Sequence, residues 1–423
     1  MAIKQRKGKR DSTTNSKSTG DDGYNADKDK KPAKDKKAPP YRFRRKVSFS
    51  TFLLTILFII SLAGAILYHY YSKYGPAIIF GQGLKDFDWT PYQWRKFIDD
   101  NDKTILVIGG PHRSGTTIIW EAIKAHPEIV GFGSRFETGV DYSEGVLLQE
   151  VYPRFGVGLE FKKNFGVPGR AKGGDTEKQD GMGRYALLPD AHWTKENRRG
   201  LLEDPSTLSK LLNRFAPYWD KTKDYGDNGL QRAKVWVEKS PQNGVLSTFL
   251  EGLYNMPVLA DGTVDLNSTS RKKTCTKFLY MTRHPIANTY AVDKFVKEAM
   301  GGFIDFEILF RNYVKLHEYM FMDKEAMDSP AMWAKLEDFA WDPEGTLTKI
   351  FKFLNVASDS ATVKSVLDKV GDIKSNPNEK YLLEWCTNGR KEHGDLLERY
   401  RPTFKKLKLG YDLDFCDTLI KGK

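Results

Sequence analysis

Metal-ligand clusters are missing from this chain: its seven histidines are scattered, and it contains neither a C-x2-C pair nor an H-x3-H pair. Metal-ligand spacing is therefore absent. The three cysteines, Cys275, Cys386 and Cys416, are too few for a disulfide scaffold. One bridge is still possible, and Cys386–Cys416 is the nearer pair in sequence. A basic domain surface is missing too. The formal net charge is +12, but residues 1–46 hold 16 Lys/Arg against 6 Asp/Glu, and the remaining residues hold 51 against 49. Nucleic-acid binding needs its positive charge on a folded face, so a basic tail argues against it.

Long apolar runs are also absent, with one exception. Phe49–Tyr68 holds 20 residues without a charge, enough at helical rise to cover about 30 Å, the hydrocarbon thickness of a bilayer. It follows Arg42, Arg44, Arg45 and Lys46, and Tyr68, Tyr70 and Tyr71 stand where an interfacial aromatic belt would be. The run is longer and further from the N-terminus than a cleavable signal peptide. The expectation is a single-pass, type II signal anchor, with the basic side in the cytosol and the rest across the membrane. Residues 1–46 read as a disordered basic tail, 47–71 as the transmembrane helix, 72–102 as a stem and 103–423 as one folded domain. Asn267-Ser268-Thr269, the one glycosylation sequon, agrees with a secretory-pathway lumen.

From Lys103 onward apolar strands alternate with helical patterns, which predicts an α/β domain around a central parallel sheet. The expected strands are 104–109, 234–237 and 277–282. Helices are expected at about 116–125, 243–253, 286–299, 303–323 and 343–355. Residues 153–190, rich in glycine and charge, read as a long loop region of the kind that carries substrate contacts.

Residues 104–125, TILVIGGPHRSGTTIIWEAIKA, run from a β-branched strand through small residues into a helix. Such a junction binds phosphate, because free N–H groups and the helix dipole converge on an anion. Gly110-x4-Gly115 has the glycine spacing of a nucleotide-triphosphate loop, but Thr116 stands where that loop needs its lysine. Arg113 lies inside the loop instead. Two more strands end in cations: Lys239 in Glu238-Lys239-Ser240-Pro241, and Arg283 in Arg283-His284-Pro285. In an open α/β sheet, ligands bind beyond the carboxyl ends of the strands. Arg113, Lys239 and Arg283 are therefore expected around one anionic ligand.

With these residues in view, the chain resembles the membrane-bound Golgi branch of the sulfotransferase family. PHRSGTT and the following AHPEI look like the family's 5′-phosphosulfate loop and its continuation. VWVEKSPQN is similar to its EKTP-type segment, and FLYMTRHPIANTYAV to its 3′-phosphate strand–loop–helix. WAKLEDFAWDPEGTLTKIFKFLNV and CTNGRKEH look like its later segments, in family order over about residues 104–395. The resemblance implies a P-loop-like three-layer fold preceded by one transmembrane helix, and 3′-phosphoadenosine 5′-phosphosulfate (PAPS) as donor, with no metal. It implies that Arg113, Ser114, Gly115, Thr116 and Thr117 cradle the phosphosulfate, that Arg283 holds the 3′-phosphate, and that Gly389 and Arg390 belong to a loop closing over the cofactor. The family usually places a phosphate-binding serine eight residues after that arginine. Ala291 stands there, with Thr289 and Tyr290 just before it.

Sulfuryl transfer needs a base for the acceptor proton and cations for charge building on the sulfuryl and bridging oxygens. Lys239 is the expected transition-state cation, with Arg113 assisting. By resemblance the base is a carboxylate a little over 20 residues beyond the loop's first cation, Arg113. Glu137 is the first candidate, followed by Asp141, Glu144 and His112. His126 reads as a structural helix-end residue. The expected acceptor is a carbohydrate or glycoprotein hydroxyl in the Golgi, with protein tyrosine as the alternative. Two other classes compete: a nucleotide triphosphatase or kinase, weakened by the missing lysine, and a non-catalytic nucleotide- or glycan-binding relative, prompted by Ala291.

Overall fold

A computed structural model describes residues 54–62, 64–65, 87–133, 144, 192–220, 228–259, 261–264, 274–300, 305–373 and 376–421. The chain divides into two units, residues 1–62 and 63–423. Of the expected membrane span, residues 54–62 and 64–65 are described; they are helical with exposed side chains, Leu54 and Phe58 each at 67%. Among the described residues no helix is long and apolar enough to cross a membrane. The basic tail, Asn267 and residues 153–190 lie outside the described residues.

The second unit begins earlier than the stem boundary suggested. Helix α1 (Pro91–Asp100) starts on Thr90, whose side chain accepts from the Gln93 N–H while the Gln93 side chain accepts in return from the Thr90 N–H, a reciprocal capping box. Its Trp94 and Ile98 are buried in the main core, and Phe87 ahead of it packs there too. The part of 72–102 from Phe87 onward is thus domain, not linker. Its aromatic residues need a core to bury them.

Among the described residues five strands follow: β1 (Thr104–Gly109), β2 (Ile129–Val130), β3 (Val235–Lys239), β4 (Thr276–Thr282) and β5 (Ala331–Lys335). They pair in the order β2-β3-β1-β4-β5, every pair parallel. Ile105 through Ile108 on β1 are all buried at 1% exposure or less. Consecutive burial along a strand requires both sheet faces to be covered, which is the helix–sheet–helix layering expected of α/β. The strand ends reaching beyond β1 belong to its neighbours β3 and β4, so the two cation-bearing ends flank the central loop.

The longer helices are α2 (Thr116–Lys124), α3 (Ser206–Asp220), α4 (Ser247–Asn255), α5 (Pro285–Met300), α6 (Phe306–Ala326), α7 (Leu336–Trp341), α8 (Pro343–Leu354) and α9 (Ser360–Val370). A C-terminal run adds α10 (Glu379–Glu384), a π-turn at Trp385–Gly389, α11 (Arg390–Leu407) and α12 (Cys416–Lys421). This run forms a second, smaller core with Ile286 of α5 and Phe310, Tyr313 and Val314 of α6. Cys386 in the π-turn and Cys416 at the start of α12 are joined as a disulfide, while Cys275 is a buried free thiol.

Gly110 sits at φ +145°, and a Cβ there would run into the carbonyl oxygen of Met281 on β4. The backbone of the loop can lie this close to the strand only as glycine. Gly110→Ala should therefore destabilise the chain by more than about 2 kcal/mol. Gly394→Ala, in the open middle of α11 where the nearest atom would be 4.0 Å away, should stabilise by about 0.5–1 kcal/mol. Denaturant titration of the two variants beside the parent checks the opposite signs.

Candidate functional site

The site is assembled from three carboxyl ends of the sheet. At the end of β1 the loop Gly110–Gly115 leads into α2. Gly115 is the N-cap residue in left-handed conformation at φ +90°, and no side chain caps the helix. By contrast α6, α8 and α9 are capped by the side chains of Asp305, Asp342 and Asp359. The first intrahelical bond of α2 runs from the Ile119 N–H to the Gly115 carbonyl at 3.1 Å. The N–H groups of Thr116, Thr117 and Ile118 precede it and point out of the helix start. Ser114 Oγ is buried beside them with no hydrogen-bond partner among the described residues. An anion would satisfy both features, so the loop fits a phosphosulfate group.

Lys239, the last residue of β3, brings a cation to this helix start. Its side chain is fully buried, and its Nζ donates to Thr117 Oγ1 at 3.2 Å and lies 2.5 Å from Glu144 Oε1. Glu144 is itself nearly buried. The structure thus unites Thr117, Lys239 and Glu144. Glu137 and Asp141 lie outside the described residues. Glu238, the neighbour of Lys239, sits in a separate pocket where Ser240 Oγ donates to it at 2.8 Å and Asn243 also donates. Burial pushes its carboxyl up to about 7, against the opposing pull of those bonds and of Lys239. Adjacent strand residues face opposite ways, so Glu238 does not share the Lys239 side of the sheet.

Arg283 follows β4 and is held on three sides. Its Nε donates to Asn378 Oδ1 at 2.8 Å, Nη1 to the Arg113 carbonyl at 2.9 Å and Nη2 to the Pro377 carbonyl at 2.7 Å. Its guanidinium carbon lies 5.2 Å from the Tyr381 ring centroid. Burial lowers its pKa, with Tyr381 and Glu337 acting the other way. Arg283 therefore ties the β1 loop to the turn before α10. Arg113 joins that tie through its backbone, in left-handed conformation at φ +67°. Its exposed guanidinium lies 5.4 Å from the Phe295 ring on α5. The His112 carbonyl accepts from Asn288 Nδ2 at 2.9 Å, a clamp on the loop that no motif announced.

One expectation changes. Gly389 and Arg390 do not form a loop, because the π-turn and α11 make them part of one continuous helical run. Trp385–Gly389 forms a π-helical turn, with the Tyr290 hydroxyl pressed close against Gly389 where a Cβ would stand. Thr289 does not stand in for a serine at 291 either: its Oγ1 donates to the Pro285 carbonyl at 2.8 Å. His126, by contrast, is buried, with Nε2 2.8 Å from the Ala357 carbonyl and Nδ1 accepting from the Glu128 N–H, as a structural residue should be.

No protein-family model and no curated protein sequence matches the chain. Among solved structures, a sulfotransferase from Mycobacterium avium is similar over 75% of this chain and 79% of that one, at 13% identity and a TM-score of 0.38. A sulfotransferase from Mycobacterium tuberculosis is similar over 65% and 73%, at 15% identity and a TM-score of 0.34. Retinol dehydratase, in complex with androsterone and the inactive cofactor PAP, is similar over 75% and 87%, at 13% identity and a TM-score of 0.30. Likeness this loose carries no weight for chemistry.

Beneath Arg283 lies a buried polar relay. His317 Nδ1 must donate to the Tyr313 carbonyl at 2.8 Å, so Nε2 accepts from Thr282 Oγ1 at 2.8 Å. The Tyr313 hydroxyl in turn donates to the Arg283 carbonyl at 2.6 Å. Burial holds the His317 pKa down at about 4, from an ordinary 6.5. Below pH 6.5 the unfolded chain takes up a proton that the folded one refuses, so stability falls as pH drops from 6.5 toward 4. The full window is worth about 3 kcal/mol. Urea unfolding at pH 7 and pH 5 should show this loss, and His317→Gln should reduce the difference between the two pH values.

Proposed function

We propose that the chain transfers a sulfuryl group from PAPS to a carbohydrate hydroxyl. The observation that carries this reading is the buried Lys239 ammonium at the uncapped start of α2, in contact with both Thr117 and the Glu144 carboxylate. It supplies a cation and a proton acceptor, in contact with each other, beside an anion-binding helix end, without the lysine of a nucleotide-triphosphate loop. When bound, PAPS supplies the sulfuryl group: the acceptor oxygen bonds to sulfur as the bond from sulfur to the phosphate oxygen breaks, leaving adenosine 3′,5′-bisphosphate (PAP).

The residues divide the work. The N–H groups of Gly115, Thr116 and Thr117, with Ser114 Oγ, hold the anionic end by charge-assisted hydrogen bonds. Lys239 stabilises charge building on the bridging oxygen. Glu144 takes the acceptor proton, the role first expected of Glu137. Arg283 faces the 3′-phosphate. Arg113 contributes its backbone to the cradle and its exposed side chain at the rim. Gly389 and Arg390 act through the helical run that fixes the turn before it. The protein works in the Golgi lumen from a type II anchor at 47–71. The uncharged run Phe49–Tyr68 supports that placement, and so does the Cys386–Cys416 bridge, a bond of oxidising compartments.

Incubation of the purified full chain in detergent with radiolabelled PAPS and separate glycan and tyrosine-peptide pools tests this. Label should enter the glycan pool, and PAP but not ATP or GTP should bind. Label in tyrosine peptides alone would move the acceptor class, and PAP binding without transfer to any pool would favour a non-catalytic relative. Lys239→Met and Glu144→Gln should each cut turnover about a hundredfold or more while PAP still binds. Thermal unfolding of both variants separates lost chemistry from lost fold.

A further inference from the structure

The turn before α10 contains a residue that no motif singled out. Asn378 is buried, and its side-chain amide links two charged groups. Its Oδ1 accepts from Arg283 Nε at 2.8 Å, while its Nδ2 donates to Glu337 Oε1. Glu337 is fixed from two other directions: the His284 N–H donates to Oε1 at 2.7 Å, and the Tyr411 hydroxyl lies 3.4 Å from Oε2. Asn378 therefore stands between a carboxylate and a guanidinium and prevents them from pairing directly. An amide can do this because it offers an acceptor on one side and a donor on the other.

A guanidinium carries five N–H donors. In Arg283 the single Nε donor goes to Asn378, one Nη1 donor to the Arg113 carbonyl and one Nη2 donor to the Pro377 carbonyl. One N–H on each terminal nitrogen is left without a protein acceptor among the described residues. All three engaged acceptors are neutral, so the Arg283 charge stays uncompensated by direct contact. Its plane is meanwhile fixed by the Nε bond and the Tyr381 ring. Positions 289 and 291 on α5 offer no free hydroxyl to share the work, because Thr289 is bonded to Pro285 and residue 291 is alanine.

We propose that Asn378 is a positioning residue for the terminal-phosphate site. It locks the Arg283 guanidinium by its Nε edge, keeps Glu337 from neutralising it, and so reserves the two remaining N–H groups for a ribose 3′-phosphate. This rests on the reading of Arg283 given above, and it makes Asn378 a determinant of selectivity for 3′-phosphorylated over plain adenine nucleotides.

Calorimetry with PAP and with 5′-AMP separates the two ideas. The parent chain should bind PAP at least a hundredfold more tightly than AMP. Asn378→Ala should lower that preference about tenfold by weakening PAP alone, with AMP affinity unchanged. Asn378→Asp keeps the size and the helix-start geometry but sets a carboxylate on Arg283 that competes with phosphate, so it should lower the preference further. If the alanine variant does not fold, the aspartate variant decides by itself. A parent preference retained undiminished in the folded variants overturns the role of Asn378 and leaves the reading of Arg283 intact. A parent that does not distinguish PAP from AMP overturns both.

Discussion

A fully buried ammonium must be compensated where it sits, and the Lys239 end of β3 is organised around that requirement. Stripping a charge of water costs several kcal/mol even after relaxation, and it is recovered only through a close partner and further hydrogen bonds. Glu144 and Thr117 provide them. Because one partner stands on the first turn of α2, the cation is tied to the same helix start that lacks a side-chain cap. The other partner, Glu144, lies 95 residues away in sequence. A lone lysine after a strand is ordinarily a solvated surface charge. Here burial removes that option, and with it the chance that the contact is incidental.

Sheet order explains why such a contact forms at all. With β1 between β3 and β4, every residue just past the β1 carboxyl end has a neighbour strand on each side, and both neighbours end in a cation. Parallel register fixes the relative heights. Ile108 pairs with Lys239 on one side and with Leu279 on the other, four residues short of Arg283. The loop after β1 is thus reached by Lys239 directly and by Arg283 from further out. Asn243 strengthens the same corner, donating to the Ile108 carbonyl at 3.0 Å as well as to Glu238.

Much of this was legible in the residues because strands buried on both faces read as continuous apolar runs. TILVIG, KVWV and KFLYMT announced β1, β3 and β4 within a residue or two. The strands that went unread lack that signal. β2 has only two residues, and β5, AMWAK at the sheet edge, is half-buried and mixed in polarity. α1 was hidden because its aromatic residues followed an expected membrane anchor and looked like linker. The site divides the same way. Cations immediately after apolar strands could be found by position along the chain. Asn288, Asn378 and Glu337 could not, because neutral or acidic residues in surface-like stretches acquire a role only through tertiary contact. Glu144 was one acidic residue among several until burial beside Lys239 set it apart.

The two buried cations of the candidate site, Lys239 and Arg283, are handled in opposite ways, and the difference bears on what each end of the site can do. Lys239 touches a carboxylate, so the pair carries no net charge and can pass a proton without creating an isolated ion. Among the described residues Arg283 donates only to neutral oxygens, and the Glu337 carboxylate is held one residue away across Asn378. A guanidinium left this way still attracts an anion, and an anion already carrying its full charge gains most from meeting it. Chemistry is therefore favoured at the lysine and recognition at the arginine. The loop from Gly110 to Thr117 spans both, with the Arg113 carbonyl bonded to Arg283 and the Thr117 hydroxyl bonded to Lys239. On the proposed reading, the ligand that fills the site carries two anionic groups of different kinds, one to be held and one to react.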